Sequence, residues 1–365
     1  MRILAIDIGT GTQDILLYDP DGPVENSPKL VMPSPTAVAA RRMRAATEAR
    51  RALVITGVIA GGGPSGWAMQ EHLRAGLPVY ATPEAARTFN DDLARVQADG
   101  VVLVGDDEAR RIDGAHVVLR DLDVDAVRAA LRAFGADDRI DGVAVGVFDH
   151  GDAPPDVSDR RFRFDYLAAA LRHDADARSF AATASTLPPL LTRAHAVLAS
   201  VEPGLPAVFM DNGPAAALGA THDPVVRAAS SRAVVNVGNM HVLGFVLDGT
   251  RVRALFEHHS GEVTPESLAA MVRALLDGTL TNEAVFSSQG HGALFVEPGP
   301  FEVDVVAVTG PQRERMLPAL RAAGLPNVHA AAPHGDMMIA GCFGLLDGFA
   351  YRVPEAREAV ERLHR

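Results

Sequence analysis

Two segments share one residue grammar. ILAIDIGTGTQDILLYD (Ile3 to Asp19) and AVVNVGNMHVLGFVLDG (Ala233 to Gly249) each run from an apolar stretch through a polar side chain and a glycine bend into a second apolar stretch. That order predicts a strand, a tight turn and a returning strand. The polar residue is Asp7 in the first segment and Asn236 in the second, and the bends carry Gly9 to Gly11 and Gly238. Glycine lets such a bend lie against an anion, because no Cβ blocks the approach and successive N–H groups can point outward. One glycine bend alone is only a tight turn. The repetition, with a carboxylate at Asp7 able to hold a metal, points to a phosphate clamp with two lobes.

Two further groups of residues could do chemistry. His258 and His259 are adjacent, Glu262 follows, and His291 stands in SSQGHGA. Imidazoles beside a carboxylate can ligate a divalent metal or contact an acidic substrate. Neighbouring residues on a strand face opposite ways, so the two adjacent histidines share an ion only in a loop. A surface loop with incidental histidines is favoured over a metal site, and substrate contact over metal. Gly61, Gly62 and Gly63 close an apolar run, and Pro64 and Ser65 open a helix. Their N–H groups could hold a carboxylate or phosphate of a second substrate, and the alternative is a flexible, closely packed link. Trp67 and Met69 read as core-facing residues of that helix.

Composition narrows the field. A chain of 365 residues has room for about two domains with full cores. The net charge of -12 argues against nucleic acid or an anionic membrane as partner, but leaves small anions open. Apolar runs fall short of a membrane span, and Met1 leads directly into a strand, which predicts a cytoplasmic protein. Cys342 is the only cysteine, so the chain can build neither an internal disulfide nor a cysteine-ligated iron–sulfur cluster. Lys29 is the only lysine and follows no glycine-rich loop, which excludes a P-loop.

Short apolar runs alternate with Ala/Arg/Leu helices, the pattern of an α/β protein. Strands are predicted at 3–7, 14–18, 53–59, 101–104, 116–119, 142–148, 207–210, 233–237, 243–247 and 303–308. Helices are predicted at 36–51, 68–75, 124–134, 166–172, 188–200, 265–277 and 311–323, with Gly76, Gly135 and Gly324 as stops and Pro311 in a first helical turn. The stretch 149–159, rich in Asp and Pro, reads as a surface or active-site loop.

Between the bends lies MDNGPAAALGA (Met210 to Ala220), a small-residue helix. VAVTGPQRERM (Val306 to Met316) and PHGDMMIAGCFGLLDG (Pro333 to Gly348) follow the second bend. In this order the five motifs resemble the actin-like ATPase superfamily of sugar kinases, acetate kinases, heat-shock chaperones and actin. Within it, ITGVIAGGGP (Ile55 to Pro64), DHG (Asp149 to Gly151) and EHHSG (Glu257 to Gly261) are most similar to a prokaryotic group labelled pyruvate formate-lyase-activating-like. That label implies radical S-adenosylmethionine chemistry on three cysteines, which one cysteine cannot supply; the fold is kept and the label set aside.

The resemblance implies a two-lobed actin-like ATPase fold, with duplicated ribonuclease H-like domains around a nucleotide cleft. Residues 1–228 would form the first lobe with insertions, completed by 338–365, and 229–337 the second. It also implies ATP and Mg²⁺ as cofactors. Asp7 would orient the metal, while Gly9, Thr10, Gly11 and Thr12 would face the phosphates from one side and Asn236, Gly238, Asn239 and Met240 from the other. Gly310 and Pro311 would pass close to the adenosine, the alternative for Gly310 being a plain strand-to-helix turn. Many members carry an aspartate where this chain has Asn236, and an amide cannot take a proton at neutral pH. The base would then be Asp211, Asp149, His150 or Asp336, with Asp336 also placed near the nucleotide. Asp211 could equally cap the helix near Pro214. The expected activity is ATP hydrolysis or transfer of phosphate to an unidentified small molecule, and the alternative is a nucleotide-dependent sensor or chaperone-like module. Gly61 to Gly63 and His258, His259 and His291 are placed toward the substrate. No nucleic acid or membrane partner is expected, and oligomerisation is left open.

Overall fold

The computed structural model describes residues 1–364. Its strands are β1 (Ile3–Ile8), β2 (Thr12–Tyr18), β3 (Lys29–Pro33), β4 (Leu53–Gly57), β5 (Val79–Ala81), β6 (Val101–Leu103), β7 (Ala115–Leu119), β8 (Gly142–Val147), β9 (Ala181–Ala182), β10 (Ala207–Asp211), β11 (Ser231–Val237), β12 (His241–Asp248), β13 (Arg251–His259), β14 (Gly292–Phe295), β15 (Val305–Thr309) and β16 (Val328–Ala330). They form three sheets, in the orders β3-β2-β1-β8-β10-β9, β14-β13-β12-β11-β15-β16 and β6-β5-β4-β7.

The first two sheets repeat one topology. In the first, β3, β2 and β1 pair antiparallel, and β8 and β10 then add in parallel. In the second, β13, β12 and β11 pair antiparallel, and β15 and β16 add in parallel. Each sheet thus carries the ribonuclease H-like order 3-2-1-4-5, with β9 and β14 as extra edge strands, and the chain has the two-lobed actin-like fold. The third sheet is all parallel and is inserted between β3 and β8, with its own buried core around Leu53, Ile55, Val79 and Val117. Its central strand β4 begins with three buried residues, Leu53 to Ile55, whereas β6 and β7 leave Val102 and Val118 exposed on the other face.

Two helices made of small residues cross at the centre. Asn212–Ala220 and Ala340–Arg352 approach so closely that a Cβ on Gly219 would overlap the carbonyl of Ala340, and one on Gly344 the carbonyl of Ala215. The glycines therefore fix the distance between backbones. Gly76, Gly135 and Gly324 stop helices as expected, each with positive φ.

Several boundaries differ from expectation. The strand expected over 53–59 ends at Gly57, and Pro311 lies in a turn before a helix that begins at Arg313. The segment 251–259, expected as a loop at its histidine end, is the nine-residue strand β13, buried at most positions.

Candidate active site

The two glycine bends have one geometry. Gly9 donates its N–H to the carbonyl of Thr12 at 2.9 Å, and Gly238 donates to the carbonyl of His241 at 2.9 Å. Those two amides are therefore consumed in the turns and cannot serve an anion, which corrects the expected amide role of Gly238. The amides of Thr10, Gly11, Asn239 and Met240 have no acceptor among the described residues. The bends face each other: a Cβ on Gly11 would stand 2.6 Å from the Asn239 side-chain nitrogen. Four N–H groups without an acceptor among the described residues thus lie on facing bends of opposite lobes, an arrangement that suits an anion.

Beneath the first bend, Asp7 and Asp14 are directly opposed partners of β1 and β2, so their carboxylates share a face. Oδ1 of each is buried without a hydrogen-bond partner. Burial, and then the adjacent Asp14, pushes the Asp7 carboxyl well above its ordinary range. Burial pushes Asp14 up to about 7, against a hydrogen bond from Thr12. Gly341 makes room for Asp7, since a Cβ there would overlap its carboxylate. Two opposed carboxylates with orphaned oxygens are a donor set for a hard divalent cation, so the residues fit Mg²⁺. Asp14 carried no role in the sequence because its significance lies in pairing register.

A cleft of about 480 Å³ opens in front of this pair. Asp7, Gly9, Thr10, Thr12, Asn236, Gly238, Asn239, Met240, Gly310, Pro311, Asp149, His150 and Gly61 to Gly63 all line it. Gly11 does not; it stands at the tip contact. The inserted domain supplies one wall, including Trp67, which is 48% exposed. The expected core role for Trp67 is corrected: its helix turns one face to the cleft, while Met69 is buried as expected. Of the three glycines, Gly61 spends its amide on Asp121 Oδ1 at 3.0 Å, whereas those of Gly62 and Gly63 have no acceptor among the described residues. Gly310 adopts φ +94°, and a Cβ there would lie 2.5 Å from the Val237 carbonyl and 2.6 Å from Asn236 Oδ1. Glycine is required at this position by the close approach of the chain leaving β15 to the end of its parallel neighbour β11, before any nucleoside is considered.

The candidate bases fare differently. Asp211 accepts two hydrogen bonds from Arg163, at 2.6 and 3.1 Å, and one from Gly213 N–H, and it lies outside the cleft. It is a helix cap and a buried ion-pair partner, which corrects its expected role as a base. Asp149 lines the cleft, but Oδ1 accepts from Gly151 N–H and Oδ2 from Ala194 N–H, both at 2.9 Å. Asp336 lies outside the cleft and accepts from Met338 N–H, so its placement against the nucleotide is also corrected. His150 alone offers an exposed side chain with no hydrogen bond among the described residues.

His258, His259 and His291 do not line the cleft, contrary to the expectation of substrate contact. His258 is 1% exposed and turned toward Ser288, with Nε2 3.2 Å from its hydroxyl. His259 faces the other way, as alternation along β13 requires. It meets His291, their Nε2 atoms 3.1 Å apart, behind His241. Near them, buried Arg163 joins Asp211 to Glu257 at 3.0 Å, and its guanidinium lies 3.5 Å over the Phe148 ring. Burial raises Glu257 to about 7, against Arg163. Sequence reading missed this bridge because its members lie far apart along the chain.

A family model described as "Putative pyruvate format-lyase activating enzyme (DUF1786)" matches residues 60–315. No curated protein matches this chain. Among solved structures, the chain is similar to a ROK hexokinase from Thermus thermophilus (14% identity, 97% of this chain and 100% of that chain, TM-score 0.38). It is also similar to an inorganic polyphosphate/ATP-glucomannokinase from Arthrobacter sp. (11%, 96% and 99%, TM-score 0.40). A third similar structure is the apo psk41 ParM protein (11%, 99% and 99%, TM-score 0.34).

Proposed function

The chain belongs to the DUF1786 family, and from that premise and the cleft we propose that it binds Mg²⁺-ATP between its lobes and hydrolyses it or transfers its phosphate to a small molecule. The observation that carries this reading is the pair of facing bends with free amides above two opposed carboxylates. Asp7 and Asp14 would hold the metal, which when bound neutralises phosphate charge. The amides of Thr10 and Gly11 would bind the phosphate chain from one lobe and those of Asn239 and Met240 from the other. Gly310 and Pro311, beside Met337 and Met338, would border the nucleoside. Gly62 and Gly63, at the start of the helix Gly63–Arg74, would orient a second, anionic substrate under the cover of Trp67. With the carboxylates of Asp149 and Asp211 already engaged, the residues promote reaction by positioning and charge complementarity, the main requirement of phosphoryl transfer.

The radical chemistry that the label of the resembled group implies does not fit this donor set. Cys342 is the only cysteine, it is fully buried, and its Sγ lies 3.1 Å from the Asp14 carbonyl. A second reading is a nucleotide sensor with little turnover, favoured by Asn236, whose amide Oδ1 stands against Gly310 where a proton acceptor would be expected.

Calorimetric titration with Mg²⁺-ATP should show saturable binding that Asp7→Ala weakens at least about tenfold, and phosphate release should rise with one class of added small molecule. Absence of heat and of any thermal shift with Mg²⁺-ATP overturns the reading. Binding without release under every mixture selects the sensor.

A further inference from the structure

We propose that His150, His241 and His291 form a site for one divalent transition-metal ion of the zinc and cobalt class, set between the two lobes and separate from the Asp7–Asp14 pair. One ring nitrogen from each of the three lies within 4.8 Å of the others. They come from three places: His150 follows β8 of the first sheet, His241 opens β12, and His291 precedes β14 of the second sheet. A bound ion therefore ties one lobe to the other.

Phe148 organises the group. His241 stacks on its ring at 3.8 Å and 10°, while His150 and His291 meet it edge-on at 4.8 and 6.1 Å. Independent support comes from unpaired atoms. Nε2 of His241 and Nδ1 of His291 are buried with no hydrogen-bond partner among the described residues, a cost that a ligand would relieve. His259 backs the site: its Nδ1 lies 2.8 Å from the Gln289 carbonyl and must donate to it, which leaves the Nε2 lone pair facing His291. Outer partners of this kind orient metal-bound imidazoles. The adjacent cation, Arg163, is offset by Asp211 and Glu257, so the surroundings do not repel a divalent ion.

The donor chemistry selects the metal. Three imidazoles without a carboxylate suit zinc, cobalt, nickel or copper, whereas Mg²⁺ and Ca²⁺ take oxygen. A metal–nitrogen distance of about 2.0–2.1 Å places tetrahedral ligand atoms about 3.3 Å apart, so the group must close by about 1.5 Å. His150, exposed on a long loop, has the freedom to do this. Three protein ligands leave one tetrahedral position for water or a substrate oxygen on the cleft side, where His150 and His241 line the wall.

The site does not depend on the nucleotide reading and is tested without nucleotide. Chelator-stripped full-length protein is titrated with CoCl₂ while visible d–d absorption is followed. The expected result is one Co²⁺ per chain with the strong bands of a tetrahedral site, displaced by Zn²⁺. His241→Ala and His291→Ala should weaken binding at least about tenfold, and His150→Ala, an exposed position that does not threaten folding, should do the same. His116→Ala, on the exposed face of β7, should leave the bands unchanged. Failure to take up one equivalent overturns the proposal, as does uptake that survives His150→Ala or is lost in His116→Ala.

Discussion

At the scale of single residues, the opposed carboxylates Asp7 and Asp14 make a pH-dependent site. A carboxyl raised in the folded state binds its proton more tightly than in the unfolded chain, so stability falls as pH rises from the ordinary carboxylate value toward the folded one. For Asp14 that window runs from about 4 up to about 7. Without divalent cation, Asp14→Asn should therefore stabilise the protein at pH 8 by on the order of 2–4 kcal/mol and have little effect at pH 4, as read by denaturant titration. The same change should abolish any thermal shift caused by Mg²⁺. Gly310 supplies a second test. Its positive φ and its contact with the Val237 carbonyl mean that Gly310→Val should lower folding stability by more than about 1 kcal/mol from backbone strain alone. A melting curve unchanged from wild type would contradict this. The residue is thus a poor probe of nucleotide contact, although its sequence context suggested one.

Among elements, what was legible followed from local chemistry. The bends showed in Asp7-x-Gly9 and Asn236-x-Gly238, because a hairpin is specified by adjacent residues, and the small-residue helices showed in their composition. What stayed hidden depended on distant partners. β13 ends in Glu257, His258 and His259, which read as a polar loop until Arg163 and Ser288 are seen to satisfy them. Trp67 belongs to an amphipathic helix, and periodicity cannot tell a core from a cleft. His241 opens a strand with no local sign that it meets His150 and His291. Strands of three residues, such as β5 and β16, are too short to carry a pattern. The crossing helices give the prediction proper to this scale. Gly219→Val or Gly344→Val sets a side chain against backbone that cannot move aside, and each should cost at least the ~1–3 kcal/mol of ordinary overpacking, measured by urea unfolding. The opposite face of the same helix tolerates change no better, since both helices are buried nearly throughout.

For the whole molecule, Arg163 is the largest fully buried side chain and joins β10 of one lobe to β13 of the other. Removing it strands two carboxylates, so Arg163→Met should destabilise by about 3–5 kcal/mol. Glu257, already raised to about 7 with Arg163 present, then rises further. The loss should accordingly be greater at pH 8.5 than at pH 6, and Glu257→Gln in the same chain should recover part of it. An equal loss at both pH values would count against the bridge. No helix among the described residues is long and apolar enough to cross a membrane.

The near-touching tips at Gly11 and Asn239 bear on kinetics. Thr10, Asn239 and Met240 line the open cleft and Gly11 does not, so a phosphate chain should gain the Gly11 amide only after those tips part, and opening should precede full capture. Under stopped flow, the observed rate of association should then level off as nucleotide is raised, at a ceiling set by how often the protein gapes. Replacing Asn239 with glycine should lift that ceiling.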